Sequence, residues 1–146
     1  MGARMNFNPI AHLIGRQRIG EEDAKPHALV MLICLDAAKR GQAPAHLSNL
    51  LCIYLLGAIR IWHHSGKKAL YEEAVKSMNA LTAACRRPTK LLDLTTGEYG
   101  ALRRGVCRFA DLLPQIELAA FSEAMKRAEL ELDRVDQANN NQENTK

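Results

Sequence analysis

Residues Leu47 to His64, LSNLLCIYLLGAIRIWHH, constrain the fold more than any other stretch. From Leu50 to Trp62 the one charged residue is Arg60, and apolar side chains fall on every side of a helical wheel. A surface helix shows a single apolar stripe, whereas a helix apolar all round is wrapped by others. The stretch is therefore expected to be a central helix hidden on all its sides. A membrane span needs about 20 apolar residues. This run is shorter and carries Arg60 near its end, so a buried core helix is the expected state and no membrane association is expected.

The chain of 146 residues is long enough for one domain with a real core. Aromatics are scarce, at 5%, while Ala and Leu, which favour helix and bury well, are abundant. The expected fold is all-α: a compact bundle of about five helices around residues 47–64, spanning 25–136. An N-terminal arm, 1–24, precedes it and a polar tail, 137–146, follows.

In the arm, Asn8-Pro9 pairs a good N-cap with proline at the first helical position, predicting a short turn over Pro9–Ile14. Glu21, Glu22 and Asp23 suit the positive end of a helix running to Lys39 or Arg40, where Gly41 stops it. Leu29 to Leu35 is nearly continuous apolar sequence, so this helix is also expected to be deeply buried. The short link Gln42–His46 makes it a hairpin partner of the central helix. Lys67 to Arg87 forms an amphipathic helix with Leu70, Ala74, Met78, Leu81 and Cys85 on one face, ended by Pro88. Thr95 stands three residues before Glu98, the capping-box spacing. The helix it starts places Tyr99, Leu102, Val106, Phe109 and Leu113 on one face, with Gly100 and Gly105 as candidates for close helix approach. After Pro114 a last helix, about 115–136, carries Leu118, Phe121, Met125, Ala128, Leu132 and Val135 as a heptad seam. Acidic flanks disfavour a parallel homodimer through this seam. It is expected to dock beside basic residues on another helix, in the same subunit or another. The Asn-rich tail, 137–146, is expected to be disordered. The expected core comprises Leu32, Leu35, Leu51, Tyr54, Leu55, Ile59, Trp62, Leu70, Met78, Leu81, Leu102, Val106 and Phe109.

Catalytic motifs are missing: there is no phosphate-binding glycine loop, nucleophile elbow or zincin pattern. His63 and His64 point about 100° apart on a helix and so do not chelate one ion from regular positions. Cys34, Cys52, Cys85 and Cys107 lie among apolar residues without a CxxC spacing, which predicts buried free thiols in a reducing cytoplasm. No cofactor and no metal is expected.

The remaining signal is charge. Residues 25–113 hold 13 Lys/Arg against 6 Asp/Glu, and residues 114–146 hold 4 against 7. Arg60, Lys67, Lys68, Arg86, Arg87, Lys90, Arg103, Arg104 and Arg108 lie near helix ends and on the outer face of the helix after Thr95. If they converge, they form a surface for an anionic partner, including nucleic acid. A helix-turn-helix reading fails, because the helix after Pro44 is too apolar for a groove and the one after Thr95 offers no Asn or Gln to base edges. The leading expectation is a non-enzymatic interaction or regulatory protein, an adaptor, inhibitor or regulatory subunit, that self-associates or presents a surface to a protein partner. Nucleic-acid binding and an enzyme with an unrecognised site are the alternatives. The segment Thr95–Glu117, TTGEYGALRRGVCRFADLLPQIE, resembles in texture small helical proteins of bacterial mobile elements, a likeness that assigns no residue a role.

Overall fold

The computed structural model describes residues 17–144; the helical turn expected at Pro9–Ile14 lies outside them. Among the described residues the chain forms five α-helices and a 3-10 turn. They are α1, Gly20–Lys39; α2, Ala45–His64; α3, Lys68–Cys85; α4, Thr96–Leu112; the turn Leu113–Gln115; and α5, Leu118–Asn144. The architecture is an all-α bundle with α2 at its centre, touching α1, α3, α4 and α5.

Local chemistry sets the boundaries. Gly41 adopts φ +68° just past α1, a backbone region that costs glycine nothing. Thr95 accepts from the Glu98 N–H and the Glu98 carboxylate accepts from the Thr95 N–H, completing the capping box of α4. Helix α1 starts at Gly20 with Glu21, Glu22 and Asp23 in its first turn, and Pro26 falls within its second. There it removes one helical hydrogen bond. Helix α5 continues to Asn144, through most of the stretch whose composition marks a disordered tail. That stretch holds neither glycine nor proline, so nothing in it stops a helix already propagating from a packed segment.

Burial refines the sequence reading. Leu51, Leu55 and Ala58 of α2 have almost no exposure, but Leu50, Ile53, Leu56 and Ile59 are only half-buried. Four neighbours thus enclose most of the helix and leave one side at the rim, which corrects the expectation that it is hidden on all its sides. The full helix is also 20 residues long, and by length and composition it would suffice to cross a membrane. In this fold half of its most apolar window is packed inside the bundle.

The expected deep burial of α1 is corrected. Its inner face is Ala24, Met31, Cys34, Leu35 and Ala38, whereas Leu29, Leu32 and Ile33 are 59%, 46% and 55% exposed. Leu32 therefore leaves the expected core. Ile59, Leu70 and Met78 pack at its edge, and the other nine expected core residues are buried. The buried face of α3 is rotated from expectation to Ala74, Ser77, Leu81 and Ala84, which leaves Cys85 exposed and corrects its assignment as a buried thiol. Cys107 is half-buried.

The rotation follows from a close approach. A Cβ at Gly105 would lie 1.9 Å from the Ser77 hydroxyl. That hydroxyl lies 2.6 Å from the Ala101 carbonyl of α4 and 3.1 Å from the Glu73 carbonyl one turn back in α3. Small residues on both helices let the backbones meet around a satisfied polar group. Gly100 has no comparable contact with another helix.

An aromatic file joins the elements: Trp62 meets Phe109 edge-on, Phe109 meets Phe121, and Phe121 meets His27. His27 Nδ1 lies 2.8 Å from the Tyr54 hydroxyl, linking α1 to α2. The chain before α1 is tied to the corner before α5, where the Ile19 N–H donates to the Ile116 carbonyl and the Leu118 N–H to the Gln17 carbonyl.

Candidate functional site

Where the C-terminal end of α2 faces the 3-10 turn and the first turns of α5, the surface opens into a groove of about 880 Å³. Its walls are apolar: Ile61, Trp62, Leu70, Leu112, Ile116, Ala120 and Ala124. Around them stand Arg18, Arg60, Lys67, Arg127 and His64, with Glu117 and Glu123 as the acidic lining. The volume is within the range of about 300–1,000 Å³ typical of ligand sites.

Each element delivers its residues for a local reason. The Ser65 hydroxyl donates to the Ile61 carbonyl at the end of α2, fixing the last turn that carries Arg60, Trp62 and His64. Pro114 stops α4 and allows only the short 3-10 turn, so Ile116 and Glu117 swing across before α5 begins. The bridge between Arg18 and Glu117 holds Arg18 at the rim.

Two of the cations are partly spent. The Arg127 Nε donates to Glu123, one turn back, at 2.7 Å. Arg60 donates through Nη2 to Glu131 of α5 at 2.9 Å, yet its Nε is buried and meets no acceptor among the described residues. An unsatisfied buried donor costs about 1–3 kcal/mol, and this nitrogen, being buried, is not open to a ligand in the groove. Arg18 and Lys67 form no ion pair among the described residues.

Comparison with protein-family models, with curated proteins and with solved structures gives no match.

The basic residues singled out in the sequence are divided between several places. Arg60 and Lys67 line the groove. Lys68 is exposed at the first residue of α3. Arg108 pairs with Glu73 at 3.1 Å. Arg87 grips both carboxylate oxygens of Glu98 and also donates to the Asp93 carbonyl. It serves as a clasp between the linker and α4, and its charge is consumed there. The same contact, with the capping N–H of Thr95, holds the Glu98 carboxyl down at about 2. Arg86, Lys90, Arg103 and Arg104 are exposed and form no ion pair among the described residues.

Of the seam residues, Phe121 and Ala128 are buried, Met125 and Leu132 are half-buried, and Leu118 and Val135 are exposed. Ala124 joins the buried set. A Cβ at Gly57 of α2 would lie 2.8 Å from the Met125 sulfur, so α5 docks on α2 within the same chain, with Arg60–Glu131 at its flank.

Among the described residues, no group of three His, Cys, Asp or Glu is placed to hold a metal. Burial pushes the Cys52 thiol up to about 12, and the nearby Cys85 and Asp136 add to the shift; burial also raises Cys34 and Cys85. Raised thiols are poor nucleophiles.

Arg127 and the apolar walls of the groove escaped sequence reasoning, as did the place of Arg18 beside them. Arg18 lies in a Gly-punctuated stretch and Arg127 on a mixed helix, and only the fold joins them to Arg60.

Proposed function

We propose that this chain is a non-enzymatic interaction protein that holds an acidic, apolar segment of a partner protein in the groove between α2 and α5. The observation that carries the reading is the combination of an apolar trough with a cationic rim on which Arg18 and Lys67 stand exposed and without an ion pair among the described residues. An apolar segment would bury against Trp62, Leu70 and Ile116, and its carboxylates would meet Arg18, Lys67 and Arg60. Charge complementarity of this kind speeds encounter and sets register. The N-terminal arm does not supply such a segment, since residues 1–16 carry Arg4 and Arg16 and no acidic residue.

The test is binding of a fluorescent peptide that alternates glutamate with leucine, followed by anisotropy. The chain binds it, and Arg18→Glu with Lys67→Glu weakens binding about tenfold or more, the scale of two reversed rim charges, while helicity is unchanged. Equal affinity of the double variant would overturn the groove as the site.

A second reading, direct binding of nucleic acid, rests on Arg86, Lys90, Arg103 and Arg104, which stand exposed and without an ion pair among the described residues. It predicts a mobility shift that falls steeply with salt and is abolished by reversing those four charges, leaving the peptide unaffected.

A further inference from the structure

The outer face of α1 presents a second surface, independent of the groove. Leu29, Leu32 and Ile33 are 59%, 46% and 55% exposed and adjoin one another at helical spacing. Along the same face, at steps of three and four, run Glu22 and Lys25 before them and Asp36 and Arg40 after them. All four side chains are more than half exposed, and among the described residues they pair only with each other: Lys25 with Glu22 at 4.0 Å and Arg40 with Asp36 at 3.1 Å. Read along the helix the face is acid, base, apolar, apolar, acid, base.

This order is complementary to itself when reversed. A two-fold axis between positions 30 and 31 sets Lys25 of one copy against Asp36 of the other and Glu22 against Arg40. Leu29 then lies against Leu32 and Ile33. A parallel pairing would set every charge against its like. We propose that α1 pairs with α1 of a second copy of this chain in antiparallel fashion, forming an isologous dimer. A single pair of helices about 30 Å long gives an interface at the small end of the range, below about 1,200 Å² in total. Self-association is therefore weak and concentration-dependent.

The experiment is sedimentation equilibrium of the full chain over a concentration series. The wild type shifts from monomer to dimer, and Leu32→Asp, an exposed position in the monomer, keeps its helicity but associates about tenfold or more weakly, because an apolar anchor has become a charge at the interface. Charge exchange supplies the second measurement. Lys25→Glu and Asp36→Lys each set like charges together twice in a homodimer, so each alone remains monomeric. Mixed, they restore both opposite-charge pairs and form a heterodimer. A wild type that stays monomeric at its solubility limit overturns the proposal. So does dimerisation of either charge variant alone at wild-type strength, or failure of the mixed pair to associate.

Discussion

At the scale of single residues, two glycines at helix contacts respond oppositely to the same change. Gly105→Ala drives a methyl into the Ser77 hydroxyl, which both helices hold by its contacts with the Ala101 and Glu73 carbonyls. Overpacking of this kind costs about 1–3 kcal/mol, and urea unfolding will show it as a lower midpoint at constant slope. Gly57→Ala meets the flexible end of Met125, which yields. With the gain of about 1 kcal/mol for alanine over glycine in a helix, that variant is expected to match or exceed the wild type. Glu98 gives a pH prediction. Its carboxyl is held at about 2 against an ordinary value of 4.5. A depressed folded-state pKa stabilises above the unfolded value and loses that contribution as the pH falls through the folded one. Stability should therefore decline between about pH 4.5 and pH 2, and in Glu98→Gln that part of the acid limb should be flattened. Unfolding midpoints across this range check the sign.

At the scale of elements, the sequence is informative about ends and weaker about faces. Gly41, Pro88 and the Thr95–Glu98 box mark boundaries because each acts through local backbone chemistry. The inward face of α1 is illegible because Leu29, Leu32 and Ile33 are as apolar as Met31, Cys34 and Leu35, and composition does not distinguish core from outer surface. The face of α3 is misjudged because periodicity counts large apolar residues, while the buried face includes the small Ala74, Ser77 and Ala84, with Ser77 against Gly105. The groove was half legible: Arg60 and Lys67 were in view, but their neighbours Arg18 and Arg127 come from distant segments. Helix α2 yields the sharpest prediction. Leu55 is 1% exposed, and Leu55→Asp places a charge there without a partner. The variant should lose its cooperative thermal transition; a folded Leu55→Asp protein would remove α2 from the centre of the bundle.

For the molecule as a whole, stability is unevenly distributed. Phe121, Ala124 and Ala128 anchor α5, whereas Leu130 and Val135 are 53% and 51% exposed. Native-state hydrogen exchange follows burial and local contact density, so amides at 130–138 should exchange well before those at 121–128. The bridge between Arg18 and Glu117 bears on how the chain is made. Helix α1 leaves the ribosome well before its docking surfaces on α4 and the corner before α5. During translation α1 must wait with part of its inner face uncovered, a period in which a chaperone has its best opportunity to bind.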